Sequence, residues 1–154
     1  MNKFLNLREG KFPIMLNLDI AYLKDSINFA DLKSGNTNLL IAKLSEDLFS
    51  CKGEITIDFQ DRCQSCLKET PVHLTIDSNV IIKDSDILLE DEEKPDETHF
   101  QKLKFFEIEK LILEEISLNF PSLIRCKDLN CLKLEDAFVE EKIQPFKKIR
   151  DLLD

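Results

Sequence analysis

The chain has no tryptophan, one tyrosine, two histidines and three glycines in 154 residues. Each shortage excludes something. Gly10, Gly35 and Gly53 are too scattered to build the glycine-rich loop that cradles a nucleotide's phosphates. G-x-S-x-G and H-E-x-x-H are both missing, and no nucleophile-plus-histidine arrangement appears. The expectation is therefore a protein that is not an enzyme. No apolar run approaches the roughly 20 residues that cross a bilayer. The opening MNKFLNLREGKFPIMLNLDI has neither an uninterrupted apolar stretch nor a small-residue cleavage site, so no secretory leader is expected and the expected compartment is the cytoplasm. Thiols stay reduced there, and the five cysteines point to metal, catalysis or burial before disulfides.

What is present in excess is acid. The net charge is -9, and eight acidic residues between Asp84 and Glu97, against Lys94 alone, carry -7 of it. The rest of the chain is close to neutral, so no broad basic surface advertises a nucleic acid, and the acidic total does not exclude one. Residues 84–99 read as an acidic, mobile, exposed loop, because such a composition cannot bury enough apolar area to offset the entropy of ordering.

The length fits one domain, taken as residues 1–154. Strand-like alternation recurs at 13–20, 37–44, 53–60 and 72–82, most clearly in GEITIDFQ, where Ile55, Ile57 and Phe59 alternate with Glu54, Thr56 and Asp58. SGN at 34–36 is a turn signal, and residues 20–32 fit neither period cleanly. In FFEIEKLILEEISLNFP, Phe105, Ile108, Leu111, Ile112 and Ile116 make one helical stripe, and Glu107, Lys110, Glu114 and Ser117 the wet one. This predicts an amphipathic helix over 104–118, stopped by Asn119 and Pro121. A second helix is expected over 142–154, with Pro145 in its first turn and Phe146, Ile149 and Leu153 as its apolar side. The fold class expected is α+β: an antiparallel sheet packed on the helix, with two cysteine knuckles at one end.

Those knuckles carry the chemistry. Cys63 and Cys66 form C-x2-C on the turn between two strands, and Cys126 and Cys131 form C-x4-C past the helix. Two short-spaced pairs supply the four soft ligands that tetrahedral zinc takes, with Arg62, Lys68, Arg125 and Lys127 placed to offset the thiolate charge. The competing reading is four small buried hydrophobes. Cys51 has no near partner and is assigned to the core. His73 points outward as a candidate substitute ligand, and His99 is expected in the loop, solvated. A thioredoxin-like redox role needs C-x2-C at a strand-to-helix junction, and here a strand follows. The densest basic run is KIQPFKKIR, where Lys142, Lys147, Lys148 and Arg150 could contact phosphates or a partner.

These segments in their order resemble one family. GEITIDFQDRCQSCLKET resembles the strand and C-x-R-C-L segment of the YceD family, the large-subunit ribosomal RNA accumulation proteins. EIEKLILEEISLNFPSLIRCKDLNC resembles that family's acidic helix, its Leu-Ala-Leu-Pro stop and its second cysteine pair, and QPFKKIRDLL its closing Asn-Pro-Phe helix. Ser65 stands where the family tends to have Arg, Asn119-Phe120 replaces Ala-Leu, and Gln144 replaces Asn. The resemblance implies a cytosolic, non-catalytic factor for large-subunit ribosomal RNA accumulation in bacteria or organelles. It would work through ribosomal RNA or a large-subunit ribosomal protein, with no membrane. The alternatives are a protein-interaction module without RNA contact, whose acidic loop mimics nucleic acid, and a thiol redox protein.

Overall fold

In a computed structural model of the protein, residues 4–28, 30–86 and 98–131 are described. They form five strands, β1 (Ile14–Asp19), β2 (Asp31–Lys43), β3 (Leu48–Arg62), β4 (Glu69–Asp84) and β5 (Thr98–Gln101), and one helix, α1 (Ile108–Asn119). Short 3-10 turns occupy Ala21–Asp25 and Leu103–Phe105. The strands make one sheet in the order β1-β2-β3-β4-β5. Chain contacts divide the protein into two compact units: Met1–Asp61 with Pro71–Ser122, and Arg62–Thr70 with Leu123–Asp154.

The first unit holds the sheet and α1. Its inward positions follow the expected alternation: Ile55, Ile57 and Phe59 of β3 are buried, and Glu54 and Asp58 are exposed. Phe49, Leu39, Ile41 and Ile82 join them, with Ile108, Leu111, Ile112 and Ile116 from one side of α1. β1 pairs with β2, and β2 with β3, antiparallel. The expected all-antiparallel sheet needs correction at its far edge, because β5 lies parallel to β4, Ile81 opposite Thr98 and Asp84 opposite Gln101. The physical reason is the connection. Residues 85–97 number over a dozen, enough to return the chain to the same end of the sheet, as a parallel neighbour requires and a hairpin does not.

Three further expectations change. SGN at 34–36 lies within β2 and makes no turn. Gly35 is there because a Cβ would sit 2.7 Å from Cγ1 of Ile20, whose own N–H donates to the Gly35 carbonyl at 3.0 Å. Phe105 does not join the buried stripe. The 3-10 turn delays α1, Phe106 takes the fully buried place, and Phe105 is 62% exposed. The segment 84–99 is not loop at its ends: Asp84 closes β4 and is buried, and Thr98 and His99 belong to β5. Residues 87–97 of that segment lie outside the described residues, as does 142–154. Among the described residues no helix is long and apolar enough to cross a membrane.

Candidate metal centre

The first knuckle is the turn from β3 to β4. The Cys63 N–H donates to the Lys68 carbonyl at 2.9 Å, and the Leu67 N–H donates back to the Cys63 carbonyl at 2.8 Å. Closing so tight a turn puts Leu67 at φ 61°, the left-handed region that glycine enters freely and leucine at a cost. The second stretch follows Pro121. There the buried Ile124 accepts a hydrogen bond from the Gln64 N–H at 2.9 Å, which joins the two stretches through backbone. Asp128 folds the C-x4-C segment by accepting from the Asn130 N–H at 2.9 Å, and its other oxygen meets Lys68 Nζ at 3.0 Å.

Four sulfurs converge as a result. Cys63 Sγ lies 3.6 Å from Cys131 Sγ, Cys66 Sγ lies 3.5 Å from Cys126 Sγ, and all four lie within 4.8 Å of one another. Tetrahedral thiolates at a Zn–S distance of about 2.3 Å stand about 3.8 Å apart, so the group is of the size that encloses one ion. A disulfide would need about 2.05 Å, and the cysteines are free. Cys63 and Cys131 are buried, while Cys66 and Cys126 are half-buried. The four cysteines are thus close enough together to hold a metal ion.

The electrostatics are those of four thiols competing for ionisation. Backbone N–H groups of Cys126 and then Cys66 aim at Cys63 and hold its thiol down at about 6, the donation a knuckle gives a thiolate. Burial pushes Cys131 up to about 12, and the neighbouring sulfurs add to it. At Cys126 an N–H from Asp128 favours the thiolate, but burial and Cys66 outweigh it and the net direction is upward. One ionised sulfur therefore opposes ionisation of the next, and a divalent cation at their centre removes the opposition.

The other candidates fall elsewhere. Cys51 is fully buried in β3 and is not one of the four, and burial, with Glu115 nearby, pushes its thiol up to about 12. His73 is exposed and its Nδ1 contacts Asp58 Oδ1 at 2.6 Å. Lys142, Lys147, Lys148 and Arg150 lie outside the described residues.

His99 overturns the expectation of a solvated loop residue: it is 5% exposed. Its Nδ1 meets a carboxylate oxygen of Glu114, and its Nε2 meets the Gln101 amide nitrogen at 2.6 Å. With Gln101 donating there, Nδ1 carries the proton toward Glu114. Gln101 also clamps the start of α1, accepting from the Glu107 N–H and donating to the Glu107 carbonyl, both at 2.9 Å. The sequence signal for this network was the short alternation THFQ, masked by the acidic run before it.

No family model, curated protein or solved structure matches this chain. The functional reading therefore rests on the residues themselves.

Proposed function

We propose that the protein is a non-catalytic, zinc-binding cytoplasmic factor that supports accumulation of large-subunit ribosomal RNA, acting by binding RNA or a ribosomal protein. The observation that carries this reading is the convergence of Cys63, Cys66, Cys126 and Cys131. They are the four cysteines of the two segments that resemble the YceD family. Four thiolates are a soft, closed set. They favour zinc over oxygen-seeking cations and leave no open position for substrate, which makes the site structural. Zinc here would tie residues 62–70 to 123–131 and contribute folding free energy directly. The thiol redox reading loses support, because a strand and not a helix follows Cys66.

One observation favours the protein-partner arm. A cavity of about 320 Å³ beside α1 is lined by Asp77, Glu114 and Glu115 together with Val80, Leu111 and Leu118. That combination suits the stem and head of a lysine or arginine from a basic protein.

The test is gradient sedimentation of lysate containing the tagged full-length chain. The wild type is expected with large-subunit precursors, and Cys66→Ser is expected at the top of the gradient. Wild-type protein free of ribosomal RNA and ribosomal protein would overturn the proposal.

A further inference from the structure

Two segments far apart in sequence are stitched side by side at the start of α1. The Leu5 N–H donates to the Phe106 carbonyl at 2.8 Å, the Phe106 N–H to the Leu5 carbonyl at 3.0 Å, and the Leu7 N–H to the Leu103 carbonyl at 2.9 Å. Leu7, Leu103 and Phe106 are fully buried. With those three turned inward, Lys102, Lys104 and Phe105 face outward, and Phe4 is brought against Phe105. Phe4 is 48% exposed and Phe105 62% exposed. The rings meet edge to face, with centroids 6.3 Å apart and planes at 87°, so the ring that contributes its edge keeps its flat faces uncovered by the other.

Basic side chains stand beside the rings. A cavity of about 370 Å³ adjoins Phe105, lined by Arg8, Lys102 and Lys104 together with Asp84 and Asp86. Arg8 is shared by Asp84 at 2.6 Å and Asp47 at 2.9 Å, and Asp86 lies 3.8 Å from Lys102. Lys104 has no ion-pair partner among the described residues. Exposed aromatic faces beside lysines are the two elements of a single-strand nucleic-acid platform: bases stack on the rings while phosphates meet the ammonium groups.

We propose that Phe105 and Phe4, with Lys102 and Lys104, form a stacking site for single-stranded RNA. The proposal rests on the RNA arm of the function proposed above and assigns that contact to the sheet-and-helix unit. Duplex RNA does not suit the site, because its bases are stacked on one another and closed to the rings.

The experiment uses the full-length, zinc-replete protein, a short fluorescein-labelled oligouridylate and an RNA duplex of equal length, read by fluorescence anisotropy. The wild type is expected to bind the single strand more tightly than the duplex. Phe105→Ala weakens the single strand by about fivefold to 160-fold, the range for one lost base–aromatic stack. Phe105→Leu, which keeps apolar bulk and loses the flat π face, moves in the same direction. Lys104→Gln lowers the salt slope by about 0.7, the value for one phosphate on a single strand. All three variants stay within about 4 °C of the wild-type melting temperature, because the substituted side chains are largely exposed. Binding by wild type that Phe105→Ala leaves unchanged overturns this site while the RNA reading stands. A wild type that binds neither RNA overturns the site and the RNA arm together.

Discussion

Phe105 and Phe106 are adjacent, chemically identical and placed oppositely, so one pair of substitutions tests the account of the core. Phe106 is fully buried, its ring stands edge-on to His99 with centroids 6.2 Å apart, and its backbone bridges to Leu5. Phe106→Ala removes the ring from a packed site that cannot collapse around it without shifting both neighbours. Losses of this kind are about 3–5 kcal/mol, a large share of a typical domain stability of about 5–15 kcal/mol. For a chain of this length each kcal/mol moves the melting temperature by about 2–4 °C, so the fall is about 6–20 °C. Phe105→Ala removes a ring that is mostly in water and loses its edge contact with Phe4, an effect of at most about 1 kcal/mol. Differential scanning calorimetry on the two variants and the wild type reads both. Equal destabilisation, or a larger loss from Phe105→Ala, would refute the assignment of inward and outward faces.

Gly53→Ala is expected to damage the sheet centre: Gly53 has φ 151°, and a Cβ there would stand 2.0 Å from the Asn38 carbonyl oxygen on β2. Backbone strain of about 1–3 kcal/mol adds to disrupted β2–β3 pairing, and urea unfolding should show a clearly lower midpoint. The fold should also lose stability in acid through Asp84. Burial pushes its carboxyl up, but the Arg8 guanidinium and the Asp86 N–H outweigh burial and hold it below the usual range. Its contribution is complete above the ordinary Asp value of about 3.9 and disappears as pH falls through the lower folded value. Asp84→Asn should therefore flatten the fall in stability below about pH 4; an identical slope in variant and wild type would show that Asp84 plays no part.

Much of the sheet was legible because strand burial has period two. Ile55, Ile57 and Phe59 could be read inward from GEITIDFQ alone. The edges were less so. The parallel pairing of β5 depends on where the chain returns after residues 85–97, which no local pattern encodes. Gly35 reads locally as a turn residue, and only the approach of Ile20 shows why it stands in a strand. Phe105 satisfies helical spacing, but a 3-10 turn shifts the register before α1 starts, and Phe106 takes the inner place. At the site, C-x2-C and C-x4-C announced four ligands. Their convergence depends on tertiary contacts, the Gln64–Ile124 backbone bond and the Lys68–Asp128 pair, that spacing does not specify. His99 was unreadable for a similar reason, since its partner Glu114 sits on the side of α1 that the stripe assigned to water.

The central claim, that the two cysteine motifs enclose one zinc ion, is tested most directly by X-ray absorption at the zinc edge on protein purified without chelator, with metal content measured on the same sample. The account predicts about one zinc per chain with four sulfur neighbours at about 2.3 Å. Protein from zinc-replete cells that carries no zinc, or a first shell containing nitrogen or oxygen in place of any of Cys63, Cys66, Cys126 and Cys131, would contradict it.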